Sequence, residues 1–256
     1  MLRIRVIPTL LLQNKGLVKT VKFKNPTYIG DPINAVKIFN DKRVDELVFL
    51  DISASAQKKE PDYNYISDIA NECFMPICYG GGVKNIEQMR KIFKIGIEKI
   101  AINSAAIENP TLIRDAAATF GSQSIVVAIN VKKDLFGNYK VYNPSKKKCL
   151  KMTLSDYVAR AEALGAGEIL LYPVDDDGTM KGYNLSLISK LTSTLKIPVI
   201  ACGGAGGVAD FKKAVHAGAS AVAAGSIFVY KVPHKAVLIN FPSSQELEEV
   251  FCENKK

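Results

Sequence analysis

Two glycine-rich stretches are the first candidates for chemistry. "YGGGVKN" (79–85) and "CGGAGGV" (202–208) each follow an apolar, strand-like run and open a helix-like one. Glycine permits a tight turn there and a close backbone approach to a ligand. The N–H groups that begin the following helix suit an anion. Each stretch has a companion downstream, "INSAA" (102–106) and "AGSIF" (224–228). Gly81, Gly82, Asn103 and Ser104 are therefore expected to hold one phosphate, and Gly203, Gly204, Gly225 and Ser226 a second. Such a pair suits a ligand phosphorylated at both ends; packing glycines at tight turns are the competing reading. In "YPVDDDGTMKGYN" (172–184), Asp175 and Asp177 are placed to orient a ligand, and Gly178 and Thr179 to bind phosphate or to cap a plain Asp-Gly turn. "FLDISAS" (49–55) ends its apolar run on Asp51, followed by Ser53 and Ser55. "SIVVAINVKK" (124–133) brings Asn130 to the end of another run. An amide donates and accepts hydrogen bonds but does not exchange a proton usefully near neutral pH.

These residues need strands to carry them. Strand-like runs lie at Arg3–Leu12, Glu46–Asp51, Pro76–Tyr79, Lys99–Asn103, Ser124–Val131, Glu168–Tyr172, Pro198–Cys202 and Ala221–Ala224, with a helix-like segment after each. Strand and helix alternating in this way imply an α/β fold, a single (β/α)8 TIM barrel over residues 1–256. No linker-like composition divides the chain. An internal repeat supports two duplicated half-barrels. Glu46 and Glu168 stand 122 positions apart, as do Pro76 and Pro198, Gly81 and Gly203, Gly82 and Gly204, Gly96 and Gly218, and Ser104 and Ser226. In a barrel the turns after the strands form the catalytic face. Arg5, Glu46, Lys99 and Glu168 start strands and so face the opposite end. They read as ordinary rim charges on periodicity alone, or as a salt-bridged plug around the axis; buried charges must be paired.

The chain of 256 residues is 48% hydrophobic, enough for a sizeable core, and no apolar run is long enough to span a membrane. The N-terminus reads as a strand rather than a signal peptide. Five widely spaced cysteines (Cys73, Cys78, Cys149, Cys202, Cys252) with only His216 and His234 to assist argue against a metal cluster or a disulfide framework. They favour a reducing cytoplasm. The net charge of +9 comes largely from lysine, without an aromatic-interleaved basic stripe. That composition fits a lysine-rich surface or a phosphorylated small-molecule ligand better than nucleic acid. No metal and no cofactor are expected.

The chain resembles the cyclase subunit of imidazole glycerol phosphate synthase (HisF) over nearly its whole length. The resemblance is carried by "DELVFLDISAS", "YGGGV", "INSAAIENP", "TFGSQSIVVAI", "GAGEILL", "DDDGTMKGY" and "ACGGAGG". "TFGSQ" and the "DDDGT…GY" loop favour this family over its sister, the phosphoribosyl isomerase with the same half-barrel repeat. The resemblance implies a glutaminase partner on the N-terminal face of the barrel. Its ammonia would pass a gate at Arg5, Glu46, Lys99 and Glu168, travel up the axis and meet a bis-phosphorylated substrate. It supports the phosphate assignments above and adds Lys19, in a flexible loop after the first strand, as a substrate contact.

The chain departs from that pattern where the family's chemistry happens. The family uses two aspartates, ending strands one and five, as general acid and base; here those positions are Leu11 and Asn130. Such groups contribute about 10²–10⁴-fold each. Tyr172 stands where the family has threonine, and Cys202 where it has serine. What docking and ammonia passage need is kept, while the ring-closing groups are gone. That lopsidedness resembles the divergent HisF-like proteins of surface-polysaccharide biosynthesis. These work with a HisH-like glutaminase and a separate sugar amidotransferase to make an acetamidino group. The alternatives are a genuine cyclase of histidine biosynthesis, with Asp51 or Asp177 taking over, and a non-enzymatic activator of a glutaminase.

Overall fold

The computed structural model describes residues 4–231 and 236–252; Arg3, His234 and the side chain of Cys252 lie outside the described residues. Eight parallel strands close into a barrel: β1 (Arg5–Gln13), β2 (Leu47–Asp51), β3 (Ile77–Gly80), β4 (Lys99–Ile102), β5 (Ile125–Lys133), β6 (Glu168–Pro173), β7 (Val199–Cys202) and β8 (Ala221–Ala224). Each pairs with the next, and β8 returns to β1 from Arg5↔Ala221 to Pro8↔Ala224. Alternate residues point to opposite faces of a strand, so each strand feeds two cores. Val6, Leu10, Phe49, Ile100, Val127 and Ile169 pack outward beneath the helices. Ile7, Val48, Cys78, Ala101, Ala128 and Leu170 face the axis. Burial on both faces explains why these strands read as continuous apolar runs.

An outer helix follows each strand: Pro32–Asp41, Tyr63–Asn71, Ile86–Ile95, Thr111–Phe120, Leu154–Ala163, Leu185–Thr192, Val208–His216 and Ser244–Cys252. Six begin on a side-chain cap, from Asp31, Asp62, Asn85, Thr153, Asn184 and Ser243. Each such cap typically stabilises by about 1 kcal/mol. The 122-residue spacing seen in the sequence holds for element boundaries: β3 maps onto β7 and β4 onto β8, and the short helix Ser104–Glu108 starts 122 positions before Ser226–Val229.

Among the described residues, two antiparallel additions to the barrel sheet were not foreseen from the sequence. Gly16–Val21 pairs with the end of β1 and with Lys24–Gly30. Tyr139–Asn143 pairs with an extended β5 and with Lys148–Thr153. Lys19, expected in a flexible loop, therefore lies mid-strand and is buried. The tight turns work because Asn14, Lys15, Lys22 and Phe23 adopt positive φ, as hairpin turns of the primed types require. Both hairpins rise from strand C-termini and fold over the barrel mouth.

Candidate functional site

The N-terminal end of the barrel carries a closed charge cluster. Arg5 donates to Glu46 Oε2 at 2.5 Å and to Glu168 Oε1. Lys99 Nζ sits 3.0 Å from Glu46 Oε2 and 3.0 Å from Glu168 Oε2. The reading as four separate rim charges fails: each carboxylate is shared by both cations. Burial works against the charged Arg5 guanidinium, but Glu168 and Glu46 more than compensate and raise its pKa. Glu46 Oε1 has no hydrogen-bond partner among the described residues. Above this ring the axis is lined by Ile7, Val48, Cys78, Ala101, Val126, Ala221 and other uncharged side chains. Several are small, where closed barrels of this class usually pack bulky branched residues. Burial, with Glu46 next, pushes the Cys78 thiol well above its usual pKa, so it stays neutral.

The C-terminal mouth holds two cavities that share one wall, Tyr172. The larger has a volume of about 360 Å³ and brings together Leu11, Asp51, Gly81, Gly82, Asn103, Ser104 and Asn130. Gly81 needs to be glycine: its φ is +131° and a Cβ would lie 2.6 Å from the Asp51 carbonyl. Asn103 Nδ2 donates to the Ala128 carbonyl at 2.5 Å, which leaves Asn103 Oδ1 buried without a partner among the described residues. Ser104 donates to Asn143 Oδ1 at 3.3 Å. Asp51 Oδ1 accepts from Ser53 N, Ser53 Oγ and Ala54 N, so one of its oxygens is taken up by its own turn. Leu11 is buried beside Leu50 of β2. Asn130 sits next to Tyr172 in the β5–β6 register.

The smaller cavity, about 10 Å³, is lined by Gly178, Gly203, Gly204, Gly225 and Ser226, with Lys19, Tyr172 and Asp177. A Cβ on Gly225 would lie only 2.0 Å from Lys19 Nζ, so the first hairpin delivers its ammonium directly onto this glycine turn. Burial lowers the Lys19 pKa, and Asp177 and Cys202 only partly oppose it. A buried ammonium beside glycine backbone, only partly balanced by Asp177, is an arrangement that favours an anion. Thr179 is not part of either wall; its hydroxyl donates to the Asp176 carbonyl at 2.9 Å.

Asp177 is a clasp in this structure. Its Oδ2 accepts from Thr20 Oγ1 at 2.6 Å and Phe23 N at 3.0 Å, and its Oδ1 from Tyr172 Oη at 2.8 Å. Phe23 meets Tyr172 edge-on, with ring centroids 5.0 Å apart. Asp175, by contrast, accepts from Lys133 N at 3.0 Å. Sequence reasoning missed Thr20, Phe23, Ser145 and Lys147, all contributed by the two hairpins. The alternation in "GLVKTV" and the turn "NPSKKK" were the available signals. Among the described residues no group of His, Cys, Asp and Glu could hold a metal ion, and no helix is long and apolar enough to cross a membrane.

A closed parallel barrel, repeated in halves, with glycine turns at its mouth and a charge ring at its base, defines a (β/α)8 barrel of the half-barrel-repeat class. The histidine biosynthesis protein family model matches residues 5–233, and the chain belongs to that family. It is 49% identical to a Pseudomonas aeruginosa protein provisionally named imidazole glycerol phosphate synthase subunit hisF2, covering 97% of this chain and 99% of the relative. A similarly provisional subunit HisF of Leptospira borgpetersenii is 51% identical over 98% of this chain and 100% of its own length. The imidazole glycerol phosphate synthase subunit HisF of Petrotoga mobilis, named without that proviso, is 42% identical over 91% and 92%.

Proposed function

We propose that this chain is the HisF-like subunit of a glutamine amidotransferase complex that conducts ammonia and does not close an imidazole ring. A HisH-like glutaminase would dock on the N-terminal face and release ammonia at the ring of Arg5, Glu46, Lys99 and Glu168. Passage needs one cation to swing aside; Lys99 is tied by its Nζ alone and is the simpler leaf. Beyond it, an uncharged interior offers ammonium nothing and neutral ammonia no barrier of charge. At the mouth, Gly81, Gly82, Asn103 and Ser104 on one side and Gly178, Thr179, Gly203, Gly204, Gly225, Ser226 and Lys19 on the other would hold a phosphorylated ligand. Thr179 would do so only if its turn opened. The ammonia would serve amidination of a surface-polysaccharide sugar through a separate amidotransferase. The free thiols Cys73, Cys78, Cys149 and Cys202 fit a cytoplasmic setting.

The observation that carries this reading is the intact ring below a mouth whose acid and base positions are Leu11 and Asn130. A second reading, the genuine cyclase, draws on the 360 Å³ cavity and on Asp51 in its wall. Asp177 serves that reading less well, since both of its oxygens are engaged. Complementation separates the two. With a compatible glutaminase co-expressed, the chain should fail to rescue a histidine auxotroph lacking its own cyclase. Growth at wild-type rate would establish the cyclase instead.

A further inference from the structure

The hairpin after β5 carries features that neither the fold nor the two cavities use. Its tip exposes Leu135 and Phe136 almost completely, at 101% and 89%. The tip is not slack: Asp134 Oδ1 accepts from Phe136 N and Asn138 N at 2.9 Å each, and the Asp134 carbonyl accepts from Gly137 N at 3.0 Å. A rigid turn that holds two large apolar side chains in water is a binding feature rather than a packing one. Its surroundings are basic. Residues 132–151 contain seven lysines and one acid, Asp134, whose carboxylate is turned onto its own backbone. The same hairpin also forms part of the 360 Å³ cavity wall through Pro144, Ser145 and Lys147. Val21, Tyr28 and Ile52, exposed on segments after β1 and β2, belong to the same end of the barrel.

We infer that this hairpin docks the ammonia-consuming enzyme over the barrel mouth, with Leu135 and Phe136 inserted into an apolar pocket bordered by acidic residues. The inference rests on the conducting role above. Ammonia released into neutral water becomes ammonium and is lost as a nucleophile, so a barrel that does not use it must hand it over at the mouth. Charge complementarity fixes the partner's chemistry: a lysine-rich collar selects an acidic rim. Aromatic and large apolar anchors at the centre fit the usual anatomy of such contacts.

The test uses the full chain bound to its glutaminase. A photoreactive phenylalanine in place of Leu135 is cross-linked in the native cell, and the captured protein is identified and purified. Transfer of ¹⁵N from the glutamine amide to that protein's product is then measured with the native chain, with L135S/F136S and with K148E/K151E. The expected result is capture of an ammonia-consuming enzyme, with transfer reduced at least tenfold in both variants. Glutamine hydrolysis should be unchanged, and added ammonium salt should restore the product. Capture of a second copy of this chain, or of nothing, overturns the inference, as does undiminished transfer by both variants. If the native chain itself fails to stimulate glutamine hydrolysis, the conducting role fails, not merely the docking site.

Discussion

Tyr172 ties together most of what is particular to this mouth. Its ring is the shared wall of both cavities, its edge meets Phe23, and its hydroxyl donates to the buried Asp177. Tyr172→Phe leaves that carboxylate with one donor fewer, a loss of roughly 1–3 kcal/mol. Urea denaturation should register it, and the Phe23 amide should exchange faster with solvent because its acceptor is the same carboxylate. Lys19 gives a prediction with a sign. Its folded-state pKa lies below the ordinary 10.5, because burial penalises the charge. The penalty is therefore complete below the folded pKa and is relieved as pH rises from there toward 10.5. Relative to Lys19→Met, the native chain should gain stability across that window in anion-free buffer. Scans are kept below pH 10, where the raised pKa of Tyr172 would begin to act in the opposite direction. Saturating phosphate should flatten or reverse the gain; an unchanged slope would remove Lys19 from any anion site.

At the scale of elements, the base ring is the sharpest case. Glu46 is shared by Arg5 and Lys99 and is almost wholly buried. Breaking a buried ion pair from one side costs about 3–5 kcal/mol. The lower end applies here because Arg5 and Lys99 keep some solvent contact. Glu46→Ala should thus lower stability by about 3 kcal/mol, measurable by chemical denaturation, and should leak ammonia to solvent from the glutaminase complex. The barrel strands were legible from sequence because burial on both faces leaves continuous β-branched runs, as in Ile125–Ile129. The repeat at 122 placed the glycine turns in matching positions. The hairpins were not legible. Their strands are short and interrupted by lysines, and the turns of the first rely on Asn14, Lys15, Lys22 and Phe23 at positive φ instead of an Asn-Gly or Gly pair, while the second has a lone Gly137 at positive φ in a longer turn. That is why Lys19 was identified while its burial was not. Between rim charges and a salt-bridged plug the residues themselves left the choice open, because spacing alone does not say that side chains starting four different strands converge.

For the whole molecule, the proposed function would give the two ends of the barrel two different partners. At the N-terminal end, Phe74 precedes β3 and is 86% exposed. A large aromatic there suits an interface anchor. Phe74→Ala should weaken glutaminase binding by about 1–3 kcal/mol in titration calorimetry, while leaving the fold intact. At the C-terminal end Leu11 and Asn130 line the larger cavity together with the glycine turn, and in the proposed reading they replace the groups that would transfer protons in a ring closure. Nitrogen tracing separates delivery from consumption most directly. The complex of this chain with its glutaminase is given ¹⁵N-amide glutamine and the family's bis-phosphorylated cyclase substrate. The expected result is stimulated release of labelled ammonia and no label in an imidazole product. Efficient appearance of labelled imidazole glycerol phosphate would contradict it.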